Sequence, residues 1–317
     1  MTFNTNIPAI ICDSSKRHDL FLLWDATLCN PNGNPDADNQ QRIDWQTQRA
    51  YTTDASLKRR IRDVVQMISG NESLENIGIF IQRDTFLSQT IGEAFELAGN
   101  GKGEVTEEPT EGNGKKKKNG TKKVDKDEMS DVNKYLRDKY WDIRMFGGVL
   151  IAGSDSGKSR NGGKVTGPLQ VGFGRSIDSV SPESLSITRV CGDKPKSGDD
   201  SAAQTMGRKE IIHYGLFHTP VFYNPNIRSD SVSDFDLELF WFAILKLWDL
   251  TKTSSKNLAI QKAIVFTHES RYGNAPASQL FDLVKVQAQT EHPRSVGDYL
   301  IEFEGDLPDG VTATVLY

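Results

Sequence analysis

The sequence predicts an α+β fold, with strands and helices in the order βαββαβ and large insertions between them. Three observations carry this. Segments 54–69 and 234–249 repeat apolar residues at the helical period. Segments 19–27, 77–82, 167–174 and 263–268 are short apolar or alternating runs of strand length. Their order along the chain is that of the ferredoxin-like, RRM-like arrangement.

The first strand, 19–27, contains the apolar run Leu20 to Trp24. Asn30-Pro31-Asn32-Gly33-Asn34-Pro35 follows, and its prolines and glycine exclude helix and regular ladder, so it is a shaped loop. Thr53-Asp54 offers a helix N-cap. Leu57, Ile61, Val64 and Ile68 then form a core-facing stripe, with Lys58, Arg59 and Arg62 as a basic shoulder. Ile77 to Ile81 alternates as a strand does. Phe86 to Ala98 reads as helix, with Leu87, Ile91, Ala94 and Leu97 or Ala98 on one side.

From 99 to 131 apolar residues almost vanish and lysine and glutamate dominate, so this insertion is expected to be disordered. Its Lys115–Lys118 run reads as a solvated tail, with nucleic-acid contact as the other reading. Helix resumes over 131–141. Trp141-Asp142-Ile143-Arg144 then turns into the apolar run 149–152. Strand 167–174 includes Gly172-Phe173-Gly174-Arg175, an echo of the aromatic strand of RNA-recognition motifs that lacks the second aromatic. Segments 186–189 and 206–214 read as arms of a projecting hairpin with a polar tip, and 215–223 as a further strand. Phe235, Leu239, Phe242, Leu245 and Trp248 or Asp249 make the stripe of the last helix, capped by Ser233. Tyr299–Phe303 and Val311–Leu316 are expected to pair with each other.

The 317 residues suffice for one large domain or two small ones. A mean hydropathy of −0.50 predicts solubility. The net charge of −5 argues against a protein that coats nucleic acid with its whole surface. It leaves room for a local basic groove, because salt screens each contact beyond about 10 Å. The three cysteines, Cys12, Cys29 and Cys191, form no C-x-x-C pair, which predicts neither a disulfide framework nor a cysteine zinc site and fits a cytoplasmic location. No secretory leader and no membrane-spanning run is expected.

The glycine-rich run 153–159 resembles a phosphate-cradling loop, but its first glycine falls one place late and Arg160-Asn161-Gly162-Gly163 breaks the helix such a loop needs. The five histidines lack metal-ligand spacing, so no metal and no cofactor is expected. Asp36 and Asp38 read as turn formers. Met206, apolar at a polar tip, reads as a wedge between bases or as filler.

Asn30 to Asp36, Arg42-Ile43-Asp44 and Thr53-Asp54 with Leu57-Lys58-Arg59, Ile61 and Arg62 resemble successive blocks of one family, the backbone subunit of the type I CRISPR Cascade complex ("Cas seven", RAMP superfamily), most similar to its I-B and I-C branch. Further blocks are Asp142-Ile143-Arg144 with Phe146-Gly147, Thr166-Gly167-Pro168 with Gln170, Phe173 to Ser176, Ser186 to Arg189, and Met206 to Lys209. The resemblance implies a palm with a finger or web insertion and a thumb. It divides the chain into 19–98 (palm and start of the fingers), 99–131, 132–185 (fingers and a palm strand), 186–212 (thumb) and 213–317 (rest of the palm and C-terminal strands). It implies a non-catalytic subunit whose partners are crRNA, target DNA, other Cascade subunits and further copies of itself in a head-to-tail filament. The RNA-binding residues it implies are Arg42, Lys58, Arg59, Arg62, Arg144, Arg175, Arg189, Met206, Arg208 and Lys209. Type III relatives cleave RNA with a loop aspartate, so a ribonuclease using Asp36 or Asp38 is the enzyme alternative. A general single-strand RNA binder is the third.

Overall fold

The computed structural model describes residues 7–98, 126–152, 160–188, 195–196, 199–202, 206–227 and 231–317. The Lys115–Lys118 run, the 153–159 loop, Arg189, Cys191 and most of the hairpin tip lie outside the described residues.

The first half of the chain contributes β1 (His18–Cys29), β2 (Arg49–Thr52), α1 (Asp54–Glu72), α2 (Leu87–Ala98), α3 (Lys126–Lys139), α4 (Trp141–Phe146), β3 (Gly147–Ala152) and β4 (Arg160–Thr166). The second half adds β5 (Leu169–Val171), β6 (Gly174–Ser179), β7 (Pro182–Thr188), β8 (Met206–Tyr223), α5 (Asp234–Leu250), β9 (Leu258–His268), β10 (Val284–Ala288), β11 (Tyr299–Phe303) and β12 (Val311–Val315). The main sheet runs β12–β9–β1–β8–β6–β2, extended by Ile43–Asp44. Its inner four strands, β9–β1–β8–β6, are antiparallel. Taken with α1 and α5 they have the βαββαβ order and the 4-1-3-2 arrangement of the expected RRM-like class.

One face of the sheet is closed by α1 and α5, which pack on each other. The stripe Leu57, Ile61, Val64 and Ile68 is buried there as its period predicts. Trp24 of β1 stacks on Phe217 of β8 at 4.4 Å and 8°, and its Nε1 donates to the Thr219 hydroxyl at 3.0 Å. The opposite face carries Phe21, Leu23, Leu216, Ile264 and Phe266 under the β10–β11 hairpin. A separate small core gathers Phe80, Ile91, Leu136, Leu150 and Val165 between α2, α3 and the β3–β4 hairpin.

Several expectations are corrected. Ile77–Ile81 is not a palm strand. Ile77, Ile79 and Phe80 are buried, but the Phe80 and Ile81 N–H groups donate to the Asp142 carboxylate at 2.7 and 3.1 Å instead of to a ladder. The second strand of the fold is therefore β6, with β5, and the third is β8. Segment 167–174 breaks at Gly172-Phe173 into β5 and β6. The hairpin's return arm and the 215–223 strand are one strand, β8. Of the expected stripe of α5, Leu239 and Trp248 are buried and Phe235, Phe242 and Leu245 only partly; Leu237, Phe240, Trp241, Ile244 and Leu247 are buried with them, because the helix is apolar nearly all round and meets α1 as well as the sheet. β11 pairs with β10 and β12 with β9, so the expected closing pair does not form. α3 begins at Lys126, inside the segment expected to be disordered.

Two histidines hold the sheet in a pH-dependent way. His18 is fully buried. Its Nε2 faces the Asp13 carbonyl at 2.8 Å, which can only accept, so that nitrogen carries the proton and Nδ1 accepts from the Thr267 hydroxyl at 3.0 Å. His218 stacks on Phe21 at 4.1 Å. Burial pushes both from the ordinary 6.5 down to about 4. The unfolded chain binds more protons between those values, so stability rises with pH there. Denaturant titrations should show stability falling as the pH drops from about 6.5 to about 4, with a slope approaching about 2.7 kcal/mol per pH unit for two protons. A flat profile over that window would contradict the buried neutral rings.

Candidate nucleic-acid interface

The polar loop after β1 is an architectural clamp. Asn32 Oδ1 accepts from both the N–H (2.9 Å) and the hydroxyl (3.2 Å) of Thr53, the N-cap of α1. Asn30 Nδ2 donates to the Asn39 carbonyl at 2.6 Å, and Gln41 Oε1 accepts from the Asn32 N–H at 3.1 Å. Lys256, arriving from the far side of α5, donates to the carbonyls of Asn30 and Pro31. Its neighbour in charge is Arg60, whose guanidinium lies 5.3 Å from the Trp248 ring centroid. Burial lowers the pKa of both cations below their ordinary values. Sequence reading passed over both residues, since nothing in the pattern marks a cation as half-buried. Asp36 and Asp38 stand exposed on the loop, in a 3-10 turn and a left-handed residue (φ 48). Among the described residues there is no group of three or more metal-ligating side chains.

Two of the expected RNA contacts are internal. Arg62 donates from Nε to Asp142 at 2.7 Å, and the two side chains are 9% and 0% exposed. Arg144 grips Asp236 from Nε and Nη2 at 3.0 and 2.7 Å and donates from Nη1 to the Asn76 and Arg137 carbonyls. Asp236 also completes the capping box of α5 with Ser233. The guanidinia of Arg62 and Arg144 are spent on joining α1, α4 and α5, so the candidate interface is drawn without them.

The remaining residues fall in three places. On α1, Lys58 pairs with Asp54 at 3.0 Å and Arg59 with Asp63 at 2.8 Å, each one turn along the helix. On the projecting hairpin, β7 pairs with β8 from Pro182↔Ile212 out to Thr188↔Met206. Met206 is 72% exposed, and Arg208 lies beside it on the same face of the ladder. Leu185 and Ile187 are exposed on the other face, with Lys209 opposite Leu185. Arg208 and Lys209 have no ion pair among the described residues.

The third place is the open edge of the sheet, on the face away from α1 and α5. Tyr51 of β2 lies opposite Arg175 of β6, which lies opposite His218 of β8. The Tyr51 N–H donates to the Arg42 carbonyl at 2.9 Å, which sets Arg42 beside it in the same row. Phe173 stacks on Tyr51 with ring centroids 6.2 Å apart and planes 10° from parallel. Arg175 is 59% exposed and 3.6 Å from Asp44, whose carboxyl is held below the ordinary range by the Thr47 hydroxyl and the Gln46 N–H. Arg42 has a buried Nε without a hydrogen-bond partner among the described residues. Arg49 and Trp45, both exposed, flank the row. Sequence reading took up Arg42, Arg175 and Phe173 here and missed Tyr51, Arg49 and Trp45. The alternation of Arg49-Ala50-Tyr51, with only Ala50 buried, was the available signal.

The family described as CRISPR-associated protein Cas7 matches residues 16–304. CRISPR-associated protein Cas7 of Haloferax volcanii is 25% identical to this chain over 305 residues, covering 90% of this chain and 80% of the relative. A chain of a solved CRISPR RNA-guided surveillance complex in a pre-nicking state aligns with a TM-score of 0.48 at 14% identity, covering 79% of this chain and 78% of that one. A chain of another CRISPR RNA-guided surveillance complex aligns with a TM-score of 0.42 at 12% identity, covering 79% and 68%.

Proposed function

The chain belongs to the CRISPR-associated Cas7 family, and from that premise we propose that it is a non-catalytic subunit of a type I Cascade complex that binds crRNA along its backbone. Copies stack head to tail on one RNA and present its bases to target DNA. The sheet and its helices act as the palm, the α2–α3–β3–β4 unit as the fingers, and the β7–β8 hairpin as the thumb. The single observation that carries this reading is the family match, which spans every element from β1 to β11.

The physical mechanism follows from cations at the surface, of which Arg175 and Arg208 are exposed and Lys58, Arg59, Arg42 and Lys209 half-buried. Lys58, Arg59, Arg42, Arg175, Arg208 and Lys209 hold phosphates, which carry no sequence information, so any guide is accepted. Met206, exposed at the end of the hairpin ladder, enters between bases and kinks the strand. Base pairing of the segments between kinks supplies recognition of the target, as in other RNA-guided effectors. A heterologous contact that does not close makes a helical filament.

The test is to purify the tagged chain expressed with its neighbouring operon and to sequence the RNA that comes with it. Uniform crRNA in a particle with several copies of the chain is the expected result. Heterogeneous RNA, or none, would refute the assignment.

A further inference from the structure

We propose that Tyr51 and Phe173 form a stacking platform for an unpaired base of a single-stranded nucleic acid, with Arg42, Arg49 and Arg175 holding the adjacent phosphates. This rests on the reading that the chain binds a nucleic-acid strand. It adds a place where the chain holds a base rather than a phosphate, on the sheet face opposite α1.

Phe173 is 50% exposed in a segment whose neighbours are glycines. A Cβ on Gly172 would fall 2.8 Å from Pro220 Cγ, and one on Gly174 would fall 2.5 and 2.7 Å from the hydroxyls of Thr52 and Thr219. The backbone on both sides of Phe173 is thus pressed onto the sheet, and the ring between them has only the outside to occupy. Leaving a phenyl ring half in water is unfavourable unless something covers it.

The ring is not alone. Tyr51, brought by β2 from far away in sequence, lies nearly parallel to it. Sequence alone showed a Gly-Phe-Gly-Arg echo of an RNA-binding strand without its second aromatic, and the sheet supplies that aromatic from another strand. Two parallel rings on an open sheet face extend a stack onto which a base adds irrespective of its identity.

Charge favours the same ligand. The row beside the rings holds Arg42 and Arg175, with Arg49 next to them and the Asp44 carboxylate 3.6 Å from Arg175. Arg42 Nε has no hydrogen-bond partner among the described residues. Guanidinium groups around an aromatic surface complement a strand that alternates flat bases with phosphates. An apolar protein partner has no need of three arginines at this rim.

The test uses the full-length chain carrying Tyr51→Leu with Phe173→Leu, which keeps apolar volume and removes both rings. A thermal melt matching wild type establishes the fold. Two probes are titrated, a labelled single-stranded uridine oligonucleotide and a sugar–phosphate strand of equal length without bases. The expected result is a loss of about 10- to 100-fold in affinity for the uridine strand, the range for one stacked base, with no change for the abasic strand. Equal losses on both probes would overturn the proposal, because the rings would then be serving the backbone. Unchanged binding of both, with wild type binding normally, would overturn the platform and leave the nucleic-acid reading in place. Unchanged binding with loss of self-association would overturn it in favour of a contact between copies. Wild type that binds neither strand would overturn both readings together.

Discussion

Asp142→Ala is expected to lower the free energy of unfolding by about 3–5 kcal/mol, the cost of removing one partner from a buried ion pair. The carboxylate is fully buried and does three things at once. It neutralises Arg62, and it accepts the N–H groups of Phe80 and Ile81. Removing it strands one charge and two backbone donors in a dry setting. Denaturant midpoints at unchanged m-value measure the loss. The double variant Arg62→Met with Asp142→Leu separates the two costs. It removes the charge imbalance but leaves both N–H groups unpaired, at about 1–3 kcal/mol each, so it should recover only part of the stability. A fall of less than about 1 kcal/mol in Asp142→Ala would mean that Arg62 is free to leave the interior, and it would return that residue to the candidate interface.

Arg208→Ala with Lys209→Ala should behave in the opposite way. Both side chains lie on the projecting ladder without an ion pair among the described residues, and their removal should leave the unfolding curve where it was. If each holds one phosphate, the slope of log K against log salt should become shallower by about 1.4, or about 0.7 per contact on a single strand. Affinity near physiological salt should fall by about tenfold. An unchanged slope, measured by titration at several salt concentrations, would remove the hairpin from the interface. Substitutions at charged residues therefore divide into those expected to destabilise the fold and those expected to release the strand.

That division marks what was legible in the sequence. Helix α1 was readable because Leu57, Ile61, Val64 and Ile68 satisfy one period and Thr53 caps it, all within local sequence. The buried ion pairs of Arg62 and Arg144 are not legible in the sequence, because a residue's charge says nothing of a partner 80 or 92 positions away. Ile77–Ile81 reads as a strand because Ile77, Ile79 and Phe80 are buried, while the Phe80 and Ile81 N–H groups donate to Asp142 and that of Gly78 to the Lys139 carbonyl, with no neighbour strand. β8 reads as two segments because its character changes along its length, from exposed residues at Met206–Arg208 to mostly buried ones from Glu210 onward. Tyr51 was passed over because its partnership with Phe173 exists only once β2 and β6 are side by side.

β8 has a mechanical consequence. It runs unbroken for 18 residues, and Ile212 pairs both with Cys29 of β1 and with Pro182 of β7. The six residues beyond that point project about 20 Å at strand rise. No turn, glycine bulge or loop separates them from the middle of the sheet, so the arm has no hinge at its root. It works as a cantilever whose fixed end is the most heavily clamped strand of the molecule. A load on Met206 is resisted by the bending stiffness of the whole ladder, and whatever deflection it causes arrives at Trp24 and Phe217 as strain in the core.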